Sequence, residues 1–290
     1  MLTTSLEFPT DWRDYELLDC GDGGKLERFG EYMVVRPDPR AIWLKSLQNK
    51  YWENADATFI RDSSQSGQWQ LAKPTPNPWI IKYKELAFYL RPTDFKHVGV
   101  FPEQAVNWDW LTAKIRVIPS KILNLFAYTG GATLAASAAG ASVTHVESAK
   151  STLSWARDNT ILSNLDNKPI RWICDDAYKF VIRESKRGVY YDGIVMDPPR
   201  FGRGPKGEVW KITEGLPKLL HACTNIIQNP SFVLVNAYTA DISHIALGNL
   251  LDTCMKRFGG KTTSSEIALR QAKSERMLPC GIVARWEKQN

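Results

Sequence analysis

Ile122-Leu-Asn-Leu-Phe-Ala-Tyr-Thr-Gly-Gly131 is a short apolar run that ends in a paired-glycine turn, and a small-residue stretch, 133–139, follows directly. That order predicts a buried strand, a tight turn and the start of a helix. Glycine lets the backbone approach a ligand closely, and a helix N-terminus favours an anionic group such as a carboxylate. No Lys, Arg, Asp or Glu occurs from Ile122 to Val146, which raises the question of a membrane span. Asn124, Thr129, Thr133, Ser137, Ser142 and Thr144 are scattered through it, however, and Gly130-Gly131 breaks its centre. A soluble strand–turn–helix is therefore the reading, with no membrane segment.

Working outward, the same alternation continues to the end of the chain. Strands are expected at 122–126, 142–146, 170–174, 193–196, 231–235, 265–269 and 281–286. Helices are expected at 133–139, 151–162, 177–184, 213–227 and 242–258. Alternating β and α segments imply an α/β domain, a mostly parallel seven-stranded sheet with helices on both faces.

Three further strand ends carry chemistry. Val143-Thr-His-Val-Glu147 ends in an acid about twenty residues after the glycines, where Rossmann-like sheets hold ribose hydroxyls. The glycine order Gly130-Gly131-Ala-Thr-Leu fails the Gly-x-Gly-x-x-Gly pattern that seats a pyrophosphate, so an NAD-dependent oxidoreductase is the second reading. Trp172-Ile-Cys-Asp-Asp-Ala177 ends the next strand with two acids. Asp175 is expected to cap the following helix and Asp176 to face the ligand crevice, the reverse being open. Tyr191-Asp-Gly-Ile-Val-Met-Asp-Pro-Pro-Arg-Phe-Gly202 is the strongest signal, because two prolines fix a rigid extended turn at a strand end where ligands bind.

Residues 1–75 read differently, as a small β-rich domain. Tyr15–Cys20, the turn Gly21-Asp-Gly-Gly24, Lys25–Gly30 and Glu31–Arg36 suggest short antiparallel strands, and seven of the eleven Trp precede Leu111. Ala72-Lys-Pro-Thr-Pro-Asn-Pro78 has a linker's composition. The second domain spans 79–290, with 79–120 a hairpin and helix extension and 121–290 the Rossmann-like core. The opening Met-Leu-Thr-Thr-Ser-Leu-Glu7 lacks a basic flank and apolar stretch, so no secretory signal is expected. Five scattered cysteines without a Cys-x-x-Cys, and four separated histidines, point to a reduced, cytoplasmic protein without a metal site. Net charge is +6, and 255–290 holds eight Lys/Arg against three Asp/Glu, which suits a polyanionic partner as well as a solvated surface.

On Asn124-Leu-Phe-Ala-Tyr-Thr-Gly-Gly131, His145-Val-Glu-Ser148, Trp155-Ala-Arg-Asp-Asn159, Asp175-Asp-Ala177 and Asp197-Pro-Pro-Arg-Phe201, the chain resembles class I methyltransferases. More narrowly it resembles the bacterial ribosomal RNA large-subunit cytosine-C5 methyltransferases and their relatives. The resemblance covers about residues 80–290 and implies S-adenosylmethionine as cofactor. Phe126, Tyr128, Thr129, Gly130 and Gly131 would surround its methionine part. His97-Val-Gly-Val-Phe-Pro-Glu-Gln104 matches a segment that folds toward the same end, with Gln104 at its tip. Glu147 with Ser148 would hold the ribose, Asp175, Asp176 and Ala177 the adenine, and Asp197, Pro198, Pro199 and Phe201 the reactive end.

Cytosine-C5 chemistry needs a cysteine thiolate that adds to the ring. Cys280, in Leu278-Pro-Cys-Gly281, is the candidate and is expected in a turn. Amine methylation, with the target held by the Asp-Pro-Pro loop, is the alternative; Arg200, Arg203 and Lys206 could instead contact phosphates, with Phe201 or Trp210 stacking on an extruded base. The function expected is methylation of a base in ribosomal or other RNA. A protein or a small molecule is the alternative acceptor.

Overall fold

The computed structural model describes residues 6–61, 67–72, 76–116, 120–203 and 209–289. Residues 73–75 of the proline-rich linker, Lys206, and the first five residues of the opening segment lie outside these. Two compact units form. One comprises 1–7, 107–267 and 280–290; the other comprises 8–106 and 268–279.

In the smaller unit the turn residues Asp22 and Gly23 have positive φ, 51° and 75°, as a tight hairpin requires. They join Tyr15–Gly21 to Gly24–Phe29, which pairs in turn with Tyr32–Pro37. Ala57–Arg61 and Gly67–Leu71 complete a five-stranded sheet, and Trp79–Tyr83 pairs with Leu86–Leu90 as a separate hairpin. Inside the five-stranded sheet Arg36 grips Glu27 through two hydrogen bonds of 2.7 Å, with the Tyr15 hydroxyl 2.9 Å from the same carboxylate. Burial opposes ionisation of Glu27, but Arg36 and Lys25 prevail and hold its carboxyl below the usual range.

The larger unit is built on an eight-stranded sheet. Its strands are β1 (Leu6–Glu7), β2 (Lys121–Leu125), β3 (Ser142–Glu147), β4 (Ile170–Cys174), β5 (Gly193–Met196), β6 (Phe232–Ala237), β7 (Lys261–Arg270) and β8 (Met277–Glu287). Across the sheet the order is β1-β7-β8-β6-β5-β2-β3-β4. The five strands from β6 to β4 are parallel, and β8 runs antiparallel to β6. The seven strands read from periodicity are all present. The eighth, β1, comes from a segment expected in the N-terminal domain and pairs with β7.

Central β5 and β6 are buried along their whole length, as strands covered on both faces must be. The helices are α1 (Ala105–Ile115), α2 (Gly131–Ala138), α3 (Lys150–Leu162), α4 (Ala177–Lys186), α5 (Ile212–Cys223) and α6 (His244–Met255). Phe180 of α4, Leu216 of α5 and Leu251 of α6 share one core cluster with Leu123, Leu125, Ile194 and Val233 of the sheet. Side chains of opposite parity point the other way, where Asn124 meets Thr133 of α2 and Phe232 meets Trp110 of α1.

Gly193 opens β5, and a Cβ there would lie 2.7 Å from the Phe232 ring and 2.8 Å from Ile122 Cδ1. Gly193→Ala is expected to destabilise the fold by roughly 1–3 kcal/mol, measured by chemical denaturation.

Candidate functional site

Four adjacent parallel strands, β4, β3, β2 and β5, end at one edge of the sheet. The residues at or just past those ends are Asp175, Glu147, Phe126 and Asp197. At ordinary strand spacing the row spans roughly 14 Å. Crevices beyond the carboxyl ends of parallel strands are where open α/β sheets hold ligands.

The loop after β2 is held in an unusual conformation. Phe126 and Tyr128 have φ of 54° and 48°, and Gly130 has φ of 94°. Non-glycine residues in the left-handed region cost roughly 1–3 kcal/mol each and persist where surrounding bonds fix them. Those bonds are present. The Tyr128 N–H donates to Glu147 Oε2 at 3.0 Å, the Ala127 N–H to the Val146 carbonyl at 3.1 Å, and Asn159 Nδ2 to the Thr129 carbonyl at 2.9 Å. Glu147 Oε1 also accepts from the Ala149 N–H at 2.9 Å and from the Ser148 hydroxyl at 3.4 Å. Gly130 is the N-cap of α2, and a Cβ on Gly131 would stand 2.6 Å from the Trp108 ring.

Beneath the loop lies a buried polar row. Asn124 Nδ2 donates to Thr133 Oγ1 at 2.9 Å, and that hydroxyl is 2.9 Å from His145 Nδ1. His145 is neutral near neutral pH. Burial, with Arg157 adding a smaller effect, pushes the imidazole down to about 3.

At the β4 end the structure settles the two acids in the order opposite to that expected. Asp176 caps α4, accepting from the Lys179 N–H at 2.8 Å. Asp175 Oδ1 accepts from the Asp176 N–H, and its other oxygen pairs with Arg183. The helix begins at Ala177, so Asp176 alone occupies the extended position from which a side chain reaches the N3 amide. Ala177 is buried in its first turn.

After β5, the Asp197 N–H donates to the Leu125 carbonyl at 3.4 Å, and its Oδ1 accepts from Asn236 Nδ2 at 3.0 Å. Pro198 and Pro199 follow, and the Pro199 carbonyl accepts from Trp210 Nε1 at 2.6 Å. The Trp210 ring lies 5.2 Å from that of Phe126. Phe201 is exposed on a short ribbon, Phe201–Arg203 with Val209–Lys211, that periodicity did not reveal. Arg200, expected on phosphate, pairs with Asp241 at 2.7 and 3.1 Å. The Arg203 side chain and Lys206 lie outside the described residues.

Two further predicted site residues lie on other elements. Cys280 is in strand β8, not in a turn, because that strand begins already at Met277; it is 1% exposed. Gln104 ends a 3-10 turn, Pro102–Gln104, in the smaller unit. Asn236 was not singled out from the sequence; its one signal is a polar residue at the end of the apolar run 232–235.

A family model described as S-adenosylmethionine-dependent methyltransferase matches residues 56–240. Ribosomal RNA large subunit methyltransferase I of Escherichia coli (strain SMS-3-5 / SECEC) is 30% identical over 229 residues, 69% of this chain and 57% of that protein. Its counterpart from Escherichia coli O157:H7 is 28% identical over 195 residues, 62% of this chain and 48% of that one. The chain thus spans about half the length of these curated relatives. The crystal structure of the SAM-dependent methyltransferase from Agrobacterium tumefaciens superposes with a TM-score of 0.94 at 40% identity, covering 98% of this chain and 94% of that one. The SMU.776 structure complexed with SAH shares the fold, with a TM-score of 0.73 at 17% identity over 96% and 76% of the two chains.

Two outcomes test this geometry. Asp176→Ala is expected to lower stability by about 1 kcal/mol through loss of the cap, read by thermal or chemical denaturation. His145 gives a pH signature. Its folded-state value lies below the ordinary 6.5, so the unfolded chain takes up a proton first as pH falls. Stability should decline from about pH 6.5 toward about pH 3, and His145→Asn should reduce that slope by about one proton.

Proposed function

This chain belongs to the S-adenosylmethionine-dependent methyltransferase family, and from that premise we propose that it methylates a base in RNA, with ribosomal RNA as the substrate. The observation that carries the reading is the row Asp175, Glu147, Phe126–Gly130 and Asp197 along one sheet edge. Its length matches an extended adenosyl–amino acid cofactor. We assign adenine to the end formed by Asp175, Asp176 and Ala177, ribose to Glu147 with Ser148, and the amino acid part to the loop from Phe126 to Gly131. The donor set fits. A carboxylate offers about four lone-pair positions, so Glu147 can hold the loop and accept ribose hydroxyls together. With this family established, the nicotinamide reading falls away.

The cofactor supplies an electrophilic methyl on sulfonium, so transfer needs alignment and desolvation more than acid–base work. Asp197 and the rigid Pro198-Pro199 turn present the acceptor to that methyl. Phe126, Trp210 and the exposed Phe201 offer flat apolar surface to an extruded base. The exposed Arg200–Asp241 pair is weak in water and exchanges readily for a backbone phosphate. RNA, and with it a cytoplasmic location, is further supported by the basic segment 255–290 and by what the E. coli relatives are named for. Because the Cys280 thiol is buried in a strand, we assign it no addition step, and a base nitrogen is the acceptor we propose.

The test is transfer of labelled methyl from S-adenosylmethionine to ribosomal RNA from a strain lacking the gene, followed by mass spectrometry of nucleosides. An N-methylated base is expected. Glu147→Ala should weaken cofactor binding by about tenfold or more in calorimetry. Tight cofactor binding with no label in RNA would overturn the substrate; a C5-methylated pyrimidine would overturn the nitrogen acceptor alone.

A further inference from the structure

Asp197 is the end of a chain of polar contacts that crosses the larger unit. Asn236, 1% exposed in β6, donates from Nδ2 to Asp197 Oδ1 at 3.0 Å. Its Oδ1 faces Nδ2 of Asn107 at 3.5 Å, and Asn107, in the first turn of α1, is equally buried. Asn107 Oδ1 accepts from Arg285 Nη2 at 2.6 Å. Arg285, in β8, donates from Nη1 to both oxygens of Glu7 in β1, at 2.8 and 2.7 Å. The Ser265 hydroxyl donates to the same carboxylate.

An asparagine amide is nearly symmetric in shape but not in charge, so something must fix which end faces Asp197. Arg285 can only donate. Asn107 therefore turns its oxygen to the guanidinium and its amino group toward Asn236. Asn236 then accepts with its oxygen and is left with its amino group toward Asp197. The cation specifies, through two amides, that a donor meets the carboxylate. A buried charge and two buried amides are a poor way to gain stability, since apolar residues of similar volume often serve as well or better. Their use here is orientation.

We propose that Asn236 is a positioning residue for Asp197, and that Glu7, Arg285 and Asn107 form the relay that orients it. The proposal rests on the reading of Asp197 as the reactive end. None of the four residues needs to touch cofactor or RNA.

A charge-swap cycle tests it without any substrate. Asn236→Asp alone sets two carboxylates face to face, and should lower the thermal midpoint at about pH 8 by more than about 3 °C. The loss should shrink at about pH 5, as the pair takes up a proton. Adding Asp197→Asn restores one amide–carboxylate contact and should recover most of the midpoint at about pH 8. Additive losses, unchanged between the two pH values, would overturn the proposal. If Asn236→Asp yields no soluble protein, the cycle is run with Asn236→Ala and Asp197→Ala, where additivity has the same meaning. In methyl transfer, Asn236→Ala should lower kcat about tenfold or more while KM for S-adenosylmethionine stays within about threefold. A wild-type kcat in that variant would also overturn it. Wild-type protein inactive on RNA would instead sink the substrate reading, leaving the swap cycle to decide whether Asn236 positions Asp197.

Discussion

The site depends on one carboxylate. Glu147 closes β3 and takes backbone N–H groups from Tyr128 on one side and Ala149 on the other. The first bond holds the loop after β2 in a left-handed conformation that Phe126 and Tyr128 would not adopt unaided. The second fixes the chain as it turns from β3 into α3. An acid at this place thus works twice: it is an acceptor facing the ligand edge, and it is the tie that gives the glycine loop its shape. The Trp108 ring leaves no room for a side chain on Gly131, and Gly130, at φ 94°, is tightly approached by Leu134 and Ala156. They serve close packing as much as ligand approach.

At the other end of the row, order is imposed from beneath. The Asp197 turn is stiffened by two prolines, by the Trp210 bond to the Pro199 carbonyl and by Asn236. On the proposed assignment of Asp197 to the reactive end, desolvated methyl transfer demands small positional error, and each of these contacts would remove freedom from the acceptor side. Stiffness is concentrated where alignment matters, whereas the Arg200–Asp241 pair nearby is exposed and exchangeable.

Much of the fold was legible because parallel strands covered on both faces are short apolar runs with unmistakable ends. Ile122–Leu125, Gly193–Met196 and Phe232–Ala237 announce themselves in this way. Strand β1 did not, since two residues paired to a strand some 260 positions away leave no period to read. The same holds for 268–279, which joins a unit otherwise made from 8–106. At the site, the strand-end acids could be placed at one edge, but not their partners. Whether Asp175 or Asp176 caps depends on where α4 starts, a one-residue question that helix-boundary reading does not resolve. Cys280 looked like a turn residue beside Pro279 and Gly281, yet Pro279 lies within β8. Asn236 and Arg285 were invisible for a simpler reason: their meaning lies in what they meet across the sheet.

The most direct measurement is a crystal structure of the protein with S-adenosylhomocysteine. The account predicts ribose hydroxyls within hydrogen-bond distance of the Glu147 carboxylate, the amino acid part along Phe126–Gly130, and the sulfur facing the Asp197-Pro198-Pro199 turn. A ligand whose ribose is held by some other residue, or whose sulfur faces away from Asp197, would contradict it.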